Sequence, residues 1–252
     1  MPCRASGLRG SGAVENAGSQ VYPRIMRSGS PKYLAHGREG KWDPAGVLLD
    51  ESVARGPVDP RGLFDNDRPI ELEIGTGKGT FLLARVRARP DLNFIGIEWA
   101  RAYCLYSADR FRRAGLVNVR MLRADAAAFV KDCLPDRCIF RLHVYFPDPW
   151  PKRKHHRRRL IQPAFVDQAR RILQPGGQLL VVTDHLGYFH HICRVLCGAP
   201  GFVRTSMPKL AGEDNELVGT NFERKYIAQG RPFHAVAMMR YGCWITDRRL
   251  LY

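Results

Sequence analysis

Several residues combine types and spacings that could do chemistry, beginning with Glu73-Ile74-Gly75-Thr76-Gly77-Lys78-Gly79, a carboxylate ahead of alternating glycines. Glycines at 75, 77 and 79 let a backbone approach a ligand closely and aim the amides of the next helix at it. A dinucleotide fingerprint wants its third glycine one residue later, where Thr80 stands. Glu73 would repel a pyrophosphate but attract a ligand carrying a sulfonium and an ammonium. Glu98, further along, can accept from both ribose hydroxyls of an adenosine. Asp125 can take a hydrogen bond from an adenine amino group, or simply cap the helix it precedes. Together these residues favour an adenosyl ligand bearing positive charge.

A second constellation is Phe146-Pro147-Asp148-Pro149-Trp150. Its prolines fix the backbone, so Asp148 and Trp150 can project into a cleft with little entropy to lose. A flat aromatic beside a carboxylate suits a purine, by stacking on the ring and accepting N–H groups at its edge. The alternative is a rigid loop whose Trp packs on the core. Directly after it come Lys152, Arg153, Lys154, His155, His156, Arg157, Arg158 and Arg159, with no acid among them. Such a run is a solvated face or, beside a reacting base, a clamp on phosphates.

These residues need elements to hold them. Strands are expected at 70–74, 93–97, 119–122, 138–146 and 178–183, alternating with helices at 81–89, about 100–114, 126–133, 165–173 and 185–196. Gly115 falls where a C-cap glycine belongs, and Gln174-Pro175-Gly176-Gly177 is expected to close the fourth helix. Two further apolar stretches, from Phe202 and from Phe233 to Trp244, flank a polar segment. The alternation predicts an α/β fold, a mostly parallel sheet with helices on both faces. Such sheets bind ligands beyond the carboxyl ends of their strands, where Glu73, Glu98, Asp125, Asp148 and Asp184 all fall. Residues 1–65, rich in Gly, Ser, Pro and Arg, read as a partly disordered tail and lead-in; residues 66–252 read as the folded domain.

Forty Lys plus Arg against 24 Asp plus Glu give a net charge of +16, which favours a polyanionic partner. Seven cysteines without a CxxC pair fit reduced thiols rather than a disulfide framework. His190, His191, Cys193 and Cys197 have the spacing of an ordinary helix, so no metal is expected. The chain shows no apolar run of bilayer length, and Met1 to Gly12 lacks a signal-peptide core. The expected setting is the cytoplasm, without a membrane.

Through Glu73 to Gly79 and Leu173-Gln174-Pro175-Gly176-Gly177 the chain resembles the class I S-adenosylmethionine (SAM)-dependent methyltransferases. That resemblance implies a Rossmann-like, seven-stranded sheet whose last strand is antiparallel. The segment Phe146 to Arg159, FPDPWPKRKHHRRR, with Thr220-Asn221-Phe222-Glu223, is similar to the bacterial tRNA (guanine-N(7)-)methyltransferases. The resemblance implies methylation of a variable-loop guanine of tRNA at N(7); the sequence itself does not choose between a monomer and a homodimer. It implies SAM contacts from Glu73, Gly75, Gly77, Glu98, Asp125 and Asp148, with Asp148 also catalytic. Lys152, Asp184, Thr220, Asn221, Phe222 and Glu223 would meet the RNA. Guanine N(7) has a free in-plane lone pair, so Asp148 is assigned positioning and charge stabilisation rather than proton abstraction. Rival readings are a SAM enzyme acting on rRNA or protein, a non-catalytic RNA-binding module, and a nucleotide-dependent oxidoreductase, the last disfavoured by Glu73.

Overall fold

The structure, a computed structural model, describes residues 42–210 and 216–242. The expected disordered tail, Cys3 and the Cys243-Trp244 end of the last apolar stretch lie outside the described residues.

Seven strands form one sheet: β1 (Ile70–Ile74), β2 (Asn93–Ile97), β3 (Val119–Leu122), β4 (Ile139–Tyr145), β5 (Leu173–Thr183), β6 (Phe202–Thr205) and β7 (His234–Arg240). Their order is β3-β2-β1-β4-β5-β7-β6, and β7 runs antiparallel to both its neighbours. The order reverses between β1 and β4, which pair in parallel, so a crevice opens beyond their carboxyl ends. The helices are α1 (Thr80–Ala88), α2 (Arg101–Arg113), α3 (Ala126–Ala128), α4 (Pro163–Ile172), α5 (Leu186–Cys197) and α6 (Asn221–Ala228).

The core lies on both faces of the sheet. One face gathers Leu72, Leu142, Val144, Phe165, Ile172 and Tyr188; the other gathers Phe81, Leu82, Phe94, Phe111, Leu180 and Val182. Strand alternation sorts the side chains between them. On β1, Ile70, Leu72 and Ile74 join the first cluster, while Glu71 and Glu73 occupy the alternate positions, buried all the same.

Most expected elements form within a residue or two of their expected bounds, and Gly115 takes the left-handed φ of 67° that a C-cap glycine supplies. Three departures have physical reasons. The helix expected at 126–133 becomes a π-turn over Phe129–Cys133, with Leu134 N–H reaching back to Phe129 C=O. Gln174 to Gly177 does not intervene between helix and strand. Leu173 already pairs with Ile139 and Gln178 pairs with Arg141, so the intervening residues form a bulge within β5. The polar segment before β7 holds α6, whose cap lies in the Thr220 to Glu223 element. In the lead-in, Leu48 bridges Met121 on the edge strand β3, and Val47 and Phe64 are buried.

Candidate functional site

Because β1 to β5 are mutually parallel, Glu73, Glu98, Asp125, Asp148 and Asp184 all lie at or just beyond one edge of the sheet. Charge couples three of them. Glu98 raises Glu73, and Asp148 raises Glu98. Asp125 and Asp184 are engaged elsewhere. Asp125 is the N-cap of α3, its carboxylate accepting from Ala128 N–H at 2.9 Å, and Asp184 pairs with Arg231 at 2.9 Å.

Glu73 is the most demanding member of the rim. It is buried, and its Oε2 has no hydrogen-bond partner. Burial first, and the Glu98 charge second, push its pKa up to about 8. A buried polar atom left unpaired costs free energy, and a cationic ligand group would relieve it. Beside it, Gly75 and Gly77 adopt φ of 78° and 55°, and a Cβ on either would meet nothing within 4 Å. The loop is therefore left-handed and leaves open space where a ligand could lie against backbone. Gly79 is needed for packing instead, since a Cβ there would stand 2.6 Å from the Phe111 ring.

Glu98 is fixed by backbone amides, Gly77 N–H and Ala100 N–H each donating to it at 2.8 Å. Burial raises its pKa, and those amides oppose the rise. The glycine loop and the second acid thus form one rigid unit suited to a nucleoside. Next to it Trp99 is about half exposed, with the Arg123 guanidinium over its ring, 5.8 Å from the centroid.

The Phe146 to Trp150 turn is strained at both ends, with φ of 50° at Phe146 and 43° at Trp150. Left-handed bulky residues are uncommon and cost about 1–3 kcal/mol each, so neighbouring contacts must hold them. Phe146 N–H donates to Val182 C=O at 2.7 Å, and Arg159 Nε donates to Pro149 C=O at 2.9 Å. Asp148 is exposed at the crest, though the walls around it still raise its pKa by desolvation. Trp150 does not share that exposure. Arg158 lies 5.1 Å over its ring and His155 is 5.9 Å away.

The basic run therefore divides. Lys152, Arg153, Lys154 and Arg157 are exposed, whereas Arg159 is buried and lies 4.8 Å over Tyr188. Arg159 braces the turn, a correction to its expected place in a phosphate clamp. Its guanidinium is already committed to Pro149 and Tyr188.

Thr220 and Glu223 form the cap of α6. Thr220 Oγ1 accepts from Glu223 N–H at 3.0 Å, and the Glu223 carboxylate accepts from the amides of Leu217, Val218 and Gly219. Glu223 is fully buried, so it shapes the loop from within. Asn221 and Phe222 face outward from the same turn. The Phe222 ring lies 5.9 Å from Phe146 and stacks on Tyr226, which joins α6 to the Asp148 turn.

A second buried polar group, missed in the sequence, stands behind the rim. Glu71 accepts from Arg85 at 2.8 and 3.0 Å, from Arg141 at 3.1 Å and lies 3.0 Å from His143 Nε2; His143 Nδ1 is 2.7 Å from the Tyr145 hydroxyl. Burial opposes ionisation of Glu71, but hydrogen bonds from Arg85 and His143 overcome it and hold the carboxyl well below the usual range. Burial lowers His143 and raises Tyr145, the latter with help from Glu73. The available signal was a charge at alternate positions of β1 and β4 where a doubly covered strand should be apolar. Among the described residues no cluster of three or more His, Cys, Asp or Glu could hold a metal ion. His191, on α5, is instead 2.9 Å from Ile161 C=O.

Comparison with known proteins adds names to this geometry. Residues 67–236 match the family described as "Putative methyltransferase". A tRNA (guanine-N(7)-)-methyltransferase of Nocardia farcinica is 36% identical over 220 residues, covering 87% of this chain and 81% of that protein. One from Nitrosococcus oceani is 34% identical over 236 residues, covering 90% and 95%. Among solved structures, the 16S rRNA methyltransferase KamB is similar with a TM-score of 0.50 and 15% identity, covering 72% of this chain and 91% of that one. That last likeness is one of fold.

Proposed function

The chain belongs to the tRNA (guanine-N(7)-)-methyltransferase family, and from that premise we propose how its own residues carry the transfer of a methyl group from SAM to guanine N(7) of tRNA. The carrying observation is Glu73. A buried carboxylate with an unpartnered oxygen, beside an open glycine loop, suits a ligand with positive charge. SAM, when bound, supplies a methyl group made electrophilic by a sulfonium. Glu73 and the Gly75 and Gly77 backbone hold its charged end, and Glu98, fixed by two amides, accepts from the ribose hydroxyls. Asp125 has one oxygen in its cap and offers the other to the adenine edge.

No residue has to remove a proton before attack, because N(7) presents a lone pair. What the protein must supply is position and charge. As the methyl passes to N(7), positive charge passes to the guanine ring, and Asp148, held up by the braced turn, meets it. A raised pKa suits this carboxylate to a cationic partner, whose arrival favours its ionised form. Asn221 and Phe222 flank the acceptor base, Thr220 and Glu223 hold the loop that presents them, and Asp184 acts at the same edge through Arg231. Lys152, with Arg153, Lys154 and Arg157, takes the phosphates of the variable-loop region.

No helix among the described residues is long and apolar enough to cross a membrane. With tRNA as substrate, the reading is of a cytoplasmic enzyme acting as a monomer or homodimer. Labelled SAM incubated with unmodified tRNA transcripts tests it: 7-methylguanosine should carry the label. Label in another nucleoside, or none, would reject the reading.

A further inference from the structure

Glu71, Arg85, Arg141, His143 and Tyr145 form a polar chain inside a core layer, where stability alone does not call for one. Buried ion pairs commonly do no better than well-packed apolar residues. Their arrangement has a direction, however. Arg141, His143 and Tyr145 rise along one face of β4 toward its carboxyl end, and Tyr145 is the last residue before Phe146 opens the strained turn at φ 50°.

The hydrogen bonds along the chain run one way. The Glu71 carboxylate, already accepting from two arginines, can only accept from His143 Nε2. Nε2 therefore carries a proton; burial disfavours a second one on the ring, so Nδ1 is bare and the Tyr145 hydroxyl donates to it. The tyrosine ring is fixed at its other surfaces by Phe81, edge-on at 5.0 Å, and Phe81 also packs on His143 at 4.9 Å. Three elements, β1, α1 and β4, are thereby tied beneath the Asp148 turn, with Tyr145 the member of the chain next to it.

We propose that the Glu71–His143–Tyr145 chain is a positioning relay for methyl transfer, holding Tyr145, and through it the strained turn that carries Asp148, in one conformation. The proposal rests on the reading that Asp148 meets the acceptor base. Tyr145 touches neither substrate in this account. It acts through the backbone of the turn, much as a buried orienting group fixes a ligand that it does not replace.

The test compares wild type, Tyr145→Phe and His143→Gln in the full chain. It measures single-turnover transfer with SAM and tRNA saturating, SAM and tRNA dissociation constants, and hydrogen exchange across residues 146–152. Tyr145→Phe keeps the ring and loses the tether. It should slow transfer about tenfold and speed exchange in the turn, with both dissociation constants within about twofold. Glutamine at 143 can donate to Glu71 and accept from Tyr145, so His143→Gln should stay within about threefold of wild type. Wild-type transfer and exchange in Tyr145→Phe would overturn the relay, as would a loss of rate matched by an equal loss of SAM affinity. If wild type itself transfers no methyl to tRNA, the functional reading fails. The exchange comparison then decides the relay alone, and an unchanged turn overturns it.

Discussion

Glu98 raises Glu73: Glu73 lies on β1, where it pairs with Gly96, Glu98 follows directly after the adjacent parallel strand β2, and the charge on one opposes ionisation of the other. Glu98 can share its charge with two amides. Glu73 has no such help on Oε2, and its pKa climbs from the ordinary 4.5 to about 8.

Cofactor affinity should therefore depend on pH. Below about 8 the free protein holds a proton on Glu73. A cationic ligand favours the carboxylate, so binding releases that proton. Affinity for SAM should fall by up to about tenfold per pH unit as the pH drops below that value. Calorimetry in buffers of different ionisation enthalpy should detect the release at pH 7. Proton-neutral binding there would contradict the assignment of Glu73.

The same group sets a stability trend of opposite sign. Its folded pKa lies above its ordinary value, so its contribution is fully present below about 4.5 and is lost as pH rises through about 8. Glu73→Gln, which cannot ionise, should flatten that loss in the free protein while weakening SAM binding. Thermal melts from pH 6 to 9 check it.

Asp148→Ala should lower single-turnover methyl transfer by about a hundredfold or more and change tRNA affinity only a few-fold. The residue is exposed, so the fold should survive. An active variant would remove Asp148 from the reaction.

The divided basic run makes two opposite expectations. Replacing Lys152, Arg153, Lys154 and Arg157 by Ala should reduce the salt slope of tRNA binding by about 0.7–0.9 per lost phosphate contact and leave the melting temperature almost unchanged. Arg159→Ala should instead destabilise the protein by about 1–3 kcal/mol, through the freed Pro149 carbonyl and the uncovered Tyr188 ring. Filter binding across a salt series, with melts on both variants, separates these roles. An unchanged slope in the first would make the run a solvated face.

Glu223→Ala should be among the most damaging changes outside the rim. It leaves the amides of Leu217, Val218 and Gly219 without their acceptor, which should cost about 3 kcal/mol. Thr220→Ala should cost about 1 kcal/mol as an ordinary cap loss. Denaturant titration reads both, and near-neutral values would mean that the loop finds other partners.

Much of this architecture could be read from residue order. Alternation of strands and helices, with an acid at or near each strand's end, is enough to put Glu73, Glu98 and Asp148 on one edge. What periodicity could not reveal was the partner of each polar side chain. Nothing local in Lys152 to Arg159 shows that Arg157 faces water while Arg159 turns inward, because that depends on Tyr188 from α5. Glu223 is expected among the residues that meet the RNA, and only the fold of residues 217–219 around it makes it a buried anchor. Glu71 shares a strand with Glu73, yet its partners come from α1, the next element, and from β4, far along the chain.

The most direct test of the central claim removes a single atom from the substrate. A tRNA carrying 7-deazaguanosine at the variable-loop acceptor keeps the Watson–Crick edge and the stacking face but replaces N(7) by C–H. The account predicts full methyl transfer to the guanosine transcript and none to the 7-deaza transcript, with similar binding of both. Equal transfer to the two would place the methyl group on another atom and contradict the account.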